Sequence, residues 1–152
     1  MIIREYQVKD HDMVIKLHRE ALELIGAYKG DGPWDNDLSR IEKIYDGKNG
    51  LFLVAEENGK IIAMGAFRKI GFELAEIKRM RVSPDMQGKG IGKIMYETLE
   101  ERARELGFKK FHLETSVIQQ AAHKLYQKEG FLETARVIID GYDCILFEKP
   151  LC

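Results

Sequence analysis

The sequence predicts an α+β fold: one mixed, mostly antiparallel sheet of six to seven strands flanked by about four helices. Three observations predict it. Asn58-Gly59 and Asp140-Gly141 each join two β-rich apolar runs, and such dipeptides are strong hairpin signals. Stretches of period 2 and period 3.6 follow one another in the order β-α-α-β-β-β-α-β-α-β-β. Hairpins combined with a single crossover pair exclude a doubly wound parallel sheet. At 152 residues the chain suits one domain, spanning 1–152, with one core.

Taken in order, Ile2 to Val8 alternates and reads as the first strand. Asp10 or Asp12 is placed to cap the helix that follows, whose buried stripe is Val14, Leu17, Ala21, Leu22 and Ile25. His18 lies near that stripe and reads as a packed or half-exposed helix residue. Gly26 to Pro33 is a loop, with Gly26 as the helix stop. A second helix is expected from about Asp35 to Tyr45, with Leu38, Ile41 and Ile44 or Tyr45 on its apolar face. Trp34 precedes it, either as a staple holding the loop to the core or as a substrate contact. Asp31, Asp35 and Asp37 give this region a negative cast that would suit a cationic acceptor, although each alone reads as a cap or turn residue.

Leu51–Glu57 and Lys60–Arg68 form the first hairpin, and Gly71 marks the turn into a strand over Leu74–Val82. A third helix covers Ile91 to Leu106 and ends at Gly107. Its surface carries Lys93–Glu97 and Glu100–Arg104 at four-residue spacing. Lys110–Thr115 alternates as a strand, Gln119–Glu129 is a helix closed by Gly130, and strands over Phe131–Ile139 and Asp143–Glu148 complete the chain.

Composition narrows the function classes. Hydrophobic residues make up 45% and charged residues 32%, the profile of an ordinary globular protein. Lys plus Arg number 24 against 25 Asp plus Glu, so the basic excess of a nucleic-acid-binding domain is missing. Cys144 and Cys152 have no metal-ligand spacing and form no disulfide framework, so they read as reduced thiols. The first ten residues lack the apolar core of a signal peptide, and no run reaches the roughly 18 apolar residues of a membrane helix. The expectation is a cytoplasmic protein with no membrane or nucleic-acid partner.

The chemistry concentrates in Ala75 to Gly92, which reads as a strand, a Pro84-containing turn, a glycine-rich loop and a helix start. Gly88, Gly90 and Gly92 alternate, and Lys89 and Lys93 flank them. Positions without side chains let the backbone approach a ligand, and the helix start adds free amides and partial positive charge. Together these features suit a phosphate or pyrophosphate; the alternative is a plain strand-to-helix turn that needs glycine. Two familiar phosphate loops fail to match. Gly92-Lys93 is followed by Ile94, and Gln87 stands where a P-loop needs its first glycine. The glycine spacing is wrong for a dinucleotide fingerprint, and the loop lies past the middle of the chain.

The residues resemble the GNAT superfamily of acetyl-CoA-dependent N-acetyltransferases. One motif of that family is a strand ending Val-x-Pro followed by Gln/Arg-x-x-Gly-x-Gly/Ala at a helix start, matched by Val82, Pro84, Gln87, Gly90 and Gly92. Another is a helix ending Leu-Tyr-x-x-x-Gly-Phe, matched by Leu125, Tyr126, Gly130 and Phe131. The element order agrees along essentially the whole chain. Gln119 departs from the asparagine often found seven residues before the tyrosine. Its longer amide has the same donor and acceptor groups but a different reach.

The resemblance implies a GNAT-like fold, acetyl-CoA as co-substrate with no metal, and transfer to a small-molecule or peptide amine. For many members it also implies a homodimer. It assigns the edge that pairs with the pantetheine arm to Met80, Arg81 and Val82. The pyrophosphate falls on the amides of Gly88, Lys89, Gly90, Ile91, Gly92 and Lys93, with Gln87 and Gln119 nearby. An alkyl ammonium, with a pKa of about 10, must lose a proton before it attacks, and a carboxylate acting through water is the expected base. Glu76 aligns with the glutamate of the histone-acetylating branch, and Glu114 with the base of ribosomal-protein-acetylating members. Glu76 is preferred and Glu114 is the alternative. Tyr126 matches the general acid that protonates the leaving thiolate, and the Met80 N–H is the family-like oxyanion donor. Two other classes stay in view: a non-catalytic acyl-CoA-binding or sensor module on the same fold, and a nucleic-acid-binding domain, which the charge balance disfavours.

Overall fold

The computed structural model describes residues 1–28, 30 and 33–151, and of residues 33–35 the backbone alone. Its elements are β1 (Ile2–Glu5), α1 (His11–Leu24), α2 (Ile41–Ile44), β2 (Gly50–Glu57), β3 (Lys60–Gly71), β4 (Leu74–Val82), α3 (Ile91–Glu105), β5 (Lys110–Ser116), α4 (Gln120–Lys128), β6 (Leu132–Ile139) and β7 (Tyr142–Pro150). The strands form one seven-stranded sheet in the order β1-β2-β3-β4-β5-β7-β6. Every neighbouring pair is antiparallel except β4 and β5, which run parallel.

Both expected hairpins form. Asn58 and Gly59 sit at φ 52° and 76°, the left-handed pair that a two-residue turn needs to match strand twist, and Asp140-Gly141 does the same at 51° and 80°. Inside the first hairpin, both faces of β2 are buried, so its side chains are apolar without alternation. Leu51, Leu53 and Ala55 join one core cluster, with Met95, Tyr96 and Leu99 of α3, Phe111 of β5 and Phe147 of β7. Phe52 and Val54 join the other, with Val14 and Leu17 of α1 and Leu38, Ile41 and Tyr45 of the following segment. Full burial of each such large side chain contributes about 1.5–3 kcal/mol. His18 is buried with the α1 stripe.

Several expectations need correction. β1 stops at Glu5, and Val8 opens a 3-10 turn over Val8–Asp10 instead of ending the strand. Ile25 lies just past α1 and is exposed, so the buried stripe ends before it. Asp10 precedes α1 but does not cap it with its side chain. The buried carboxylate accepts two hydrogen bonds from Arg4, at 2.8 and 2.9 Å, and one from the Gln7 N–H, tying β1 to the helix entry. The second helix is not continuous. A 3-10 turn over Pro33–Ser39 precedes a four-residue α2, with Arg40 between them at φ −139°, outside helical space. Asp37 is neither a solvated turn residue nor part of an exposed acidic surface. It is buried, accepting from Arg79 Nε at 3.0 Å, from Arg79 Nη2 and from the Tyr45 hydroxyl at 2.6 Å. Asp31, Cys152 and the side chains of Trp34 and Asp35 lie outside the described residues. Cys144 is a buried free thiol.

The Asp37–Arg79 pair explains the shape of the sheet. Arg79 lies in β4 at φ 62°, a left-handed conformation that costs a non-glycine residue roughly 1–2 kcal/mol. In the β3–β4 register Lys78 faces Ala66 and Arg81 faces Met64, so Arg79 and Met80 together oppose Gly65. This is a β-bulge, which bends the strand and strengthens its twist. A side chain at Gly65 would meet Met80 Sδ at 2.5 Å and Leu99 Cδ1 at 2.9 Å, so only glycine leaves room for the bulged strand and α3 together. Beyond it β4 and β5 part: they pair only at Leu74–Lys110, Ala75–Phe111 and Glu76–His112.

Burial alone would raise the Asp37 carboxyl, but the hydrogen bonds and charge of Arg79 outweigh it and hold the group below the ordinary carboxylate range. Its contribution to stability is therefore complete above the unfolded-state value and is lost as pH falls through the lower folded-state value. Asp37→Ala, which breaks the buried ion pair by removing its carboxylate, lowers stability by about 3–5 kcal/mol at neutral pH. Urea unfolding of both proteins measures the difference, which shrinks in acid as wild-type Asp37 takes up its proton.

Candidate active site

The gap between β4 and β5 opens into a cleft of about 760 Å³ that runs through the sheet. One lip is β4 from Ile77 to Val82, and the other is Leu113, Glu114 and Thr115 of β5. The loop after β4, the first turn of α3 and one face of α4 close it on one side of the sheet, and Ala21, Leu22 and Ile25 of α1 on the other.

On the α3 side the site is made of backbone. Gly88 and Gly90 sit at φ 78° and 80°, and added side chains there would meet nothing within 4 Å, so conformation is what demands glycine. Gly90 is the residue before α3, offers no side-chain cap, and the first turn contains no carboxylate. Among the described residues, no amide of residues 88–93 donates to a backbone carbonyl, and the first such donor is Ile94, to Gly90 at 3.2 Å. Unpaired helix-start amides with partial positive charge and no competing acid form an anion cradle. Gln87 spans the loop, its Nε2 donating to the Val82 carbonyl at 3.1 Å. Lys93 lines the cleft and pairs with Glu97, whereas Lys89 does not line it and its Nζ lies 3.8 Å from Met86 Sδ.

The β5 lip is set by α4. Gln119 Oε1 accepts from the Ser116 N–H at 3.2 Å, so the departing amide folds back on its own turn and leaves its NH₂ for the cleft. At the other end of α4, Gly130 takes φ 95°, its N–H bonds to the Gln127 carbonyl, and the Phe131 N–H bonds to the Tyr126 carbonyl at 2.9 Å. The rings of Phe131 and Tyr126 meet edge to face, with centroids 5.3 Å apart. The Leu-Tyr-x-x-x-Gly-Phe spacing is thus a helix stop whose accompanying contact fixes the tyrosine. Tyr126 is buried yet lines the cleft, and burial raises its phenol well above the ordinary range, with the charge of Arg81 offsetting part of the rise.

The opposite face is made of charged side chains. Glu76 pairs with Arg68 at 3.4 Å and with Lys78 at 3.9 Å. On β5, Glu114 Oε1 lies 3.9 Å from His112 Nε2, and Glu76, His112 and Glu114 bring ligand-type atoms within 4.8 Å of one another. Both predicted base candidates therefore occupy one face of one cleft, Glu76 mostly buried and Glu114 more exposed.

Of the sequence-predicted site residues, all but Lys89 line the cleft. Sequence reasoning missed Lys78, Thr115, Gln120, Lys124 and Lys128. The last three recur every fourth residue on α4, a spacing visible in the sequence; Lys78 and Thr115 carry no comparable signal. Ala121 and Ala122 also line the cleft, and Ala122 packs against the core.

Comparison with known proteins follows the geometry. The model of the acetyltransferase (GNAT) family matches residues 13–131. The chain is 38% identical over 145 residues to IAA acetyltransferase of Azospirillum brasilense, covering 92% of each sequence. Its fold is similar to a GNAT-family acetyltransferase of Staphylococcus aureus, with a TM-score of 0.90 at 21% identity over 99% of both chains. It is also similar to yncA of Salmonella typhimurium, solved with its cofactor acetyl-CoA, with a TM-score of 0.80 at 23% identity over 100% of this chain and 94% of that one. No helix among the described residues is long and apolar enough to cross a membrane.

Thr115 presents a buried hydroxyl with no hydrogen-bond partner among the described residues. Thr115→Val keeps the shape and removes the stranded group, so the ligand-free protein gains about 1 kcal/mol in urea unfolding. A loss of stability instead would mean that the hydroxyl has a bonding partner.

Proposed function

This chain belongs to the acetyltransferase (GNAT) family, and on that premise we propose that it transfers the acetyl group of acetyl-CoA to a primary amine by direct attack in a ternary complex. The observation that carries the reading is the split between β4 and β5. Among the described residues it opens onto unpaired backbone amides on one face of the sheet and onto carboxylates on the other, with Tyr126 of α4 in its lining.

The chain's own groups supply each requirement. Among the described residues the amides of residues 88–93 have no backbone acceptor, which fits them to a diphosphate, and Lys93, Lys124 and Lys128 add positive charge at the rim. Met80, Arg81 and Val82 have no partner on β5, so that edge is available to the amide-rich pantetheine arm as to an added strand.

The acceptor arrives as an ammonium, and Glu76 takes its proton through a water, with Glu114 as the second candidate on the same face. The free amine then attacks the thioester carbonyl, the Met80 N–H holds the developing oxyanion, and the C–S bond breaks as the Tyr126 hydroxyl donates to sulfur, while the proton shed by the newly acylated nitrogen goes by way of water to restore the phenol. A raised phenol remains protonated at neutral pH, as a donor must. The same burial penalises the departing thiolate, so acid and leaving group are shifted in the same direction.

Titration calorimetry with acetyl-CoA, followed by thiol release across amine classes, tests the proposal. Absence of heat at high micromolar concentration overturns it. Binding without thiol release from any amine turns the reading into that of a non-catalytic acyl-CoA-binding module. Tyr126→Phe lowers turnover by about a hundredfold while acetyl-CoA affinity stays the same. Glu76→Gln lowers turnover most near neutral pH and recovers toward pH of about 10, where the free amine no longer needs a base; an unchanged profile transfers the role to Glu114.

A further inference from the structure

We propose that the acceptor is a zwitterion, an α-amino acid with an apolar side chain, whose ammonium faces Glu76 and whose carboxylate pairs with Lys78. The inference rests on the transferase reading above and names its acceptor class.

The β3–β4 register puts the relevant side chains on one face. Glu76 faces Arg68, Lys78 faces Ala66 and Arg81 faces Met64, and paired residues share a face. Ala66 and Met64 belong to the α1-side core, so Glu76, Lys78 and Arg81 project toward α1. The acidic surface expected of a cation-selective pocket is missing from what the structure describes. Asp37, the described carboxylate nearest that expectation, is consumed by Arg79 and Tyr45. Among the described side chains of this face that line the cleft, Lys78 stands beside Glu76. The second ammonium of a diamine or polyamine would meet Lys78 here.

Lys78 is the cation least well served. It lines the cleft, is partly buried, and shares Glu76 with Arg68, which lies closer at 3.4 Å against 3.9 Å. Burial, reinforced by the neighbouring Arg79, pushes its ammonium below the ordinary lysine range. A desolvated cation with a shared, distant counter-ion gains from a second carboxylate.

The spacing fits one ligand shape. Residues two apart on one strand face are about 7 Å apart at the backbone, and here their charged ends approach to 3.9 Å with opposite sign. An α-amino acid carries its ammonium and its carboxylate on one carbon. It can lie head to tail across the Glu76–Lys78 pair, which places its nitrogen beside the base. Ala21, Leu22 and Ile25 form an apolar wall opposite, where a hydrocarbon or aromatic side chain would rest.

Matched pairs test this: leucine, phenylalanine and tryptophan against isoamylamine, phenethylamine and tryptamine, assayed by thiol release. Their binding to CoA-saturated protein is measured in parallel by calorimetry. The expected result is a preference for at least one amino acid over its amine of about tenfold or more in kcat/KM, the scale of one charge-assisted hydrogen bond. Lys78→Met brings that ratio to near one, and Lys78→Arg restores it. Decarboxylated amines turned over as well as or better than every amino acid overturn the acceptor class while leaving the transferase reading intact. Amino-acid binding that Lys78→Met abolishes, without thiol release, overturns the transferase reading and keeps the subsite. Neither binding nor release with these six compounds overturns the acceptor class and leaves the transferase reading to acetyl-CoA binding and the wider amine panel.

Discussion

A strand with a left-handed residue in its middle cannot hold register with neighbours on both edges. In β4 that residue is Arg79, and the edge that gives way is the parallel one. The antiparallel partner β3 is joined to β4 by a short turn and resumes pairing beyond the bulge, at Met64–Arg81 and Ala63–Val82. β5 reaches its place only after a helix, and its pairing ends at Glu76–His112. What keeps the unfavourable conformation in place is a buried fork from the arginine to Asp37, strengthened by the Tyr45 hydroxyl. The 3-10 turn that carries Asp37 thereby clamps the sheet 42 residues away, and the cleft follows from that clamp.

The glycine loop and the tyrosine-bearing helix were legible because their determinants are local. Gly88 and Gly90 adopt backbone angles few other residues tolerate, and Gly130 ends α4 by the same means, with Phe131 returning to Tyr126. The Asn58-Gly59 turn fixed a hairpin for an equally local reason. The bulge was invisible, because nothing in the string Ile77-Lys78-Arg79-Met80 announces a positive φ at an arginine. It arises from a side-chain pair between distant segments, and propensity carries no information about such a pair. The interrupted second helix has the same origin: Asp37 turns inward to Arg79, and the chain leaves helical geometry at Arg40 before α2 begins. Asp37 drops out of the predicted acidic cast for the same reason, since a carboxylate consumed inside the fold attracts nothing outside it.

The two faces of the cleft recognise ligands by different physics. On the α3 side, donors come from the main chain and are unpaired, so they are preorganised and need no side-chain ordering to meet an anion. On the α1 side, charges are already matched, as Glu76 with Arg68 and Lys78 shows. A ligand there must replace an existing interaction with one at least as good. On the proposed function, affinity for a carrier would be built from free donors, and selectivity among acceptors from paired ones.

Pairing also bears on the base. A carboxylate meant to accept a proton from an ammonium must stay ionised in a partly buried cleft, and Arg68 supplies the counter-charge for Glu76 from the neighbouring strand. Glu114 has a weaker neighbour, a histidine 3.9 Å away whose charge depends on its own protonation, and it is more exposed to water. Glu76 is the more enclosed of the two, mostly buried at the cleft. An acceptor that fills the cleft would therefore leave Glu76 in contact with the nitrogen and any trapped water, while Glu114 keeps its exchange with bulk. On the proposed mechanism, proton transfer from the bound ammonium then falls to Glu76, the residue that the acceptor would enclose, with Glu114 as the more exposed second candidate on the same face.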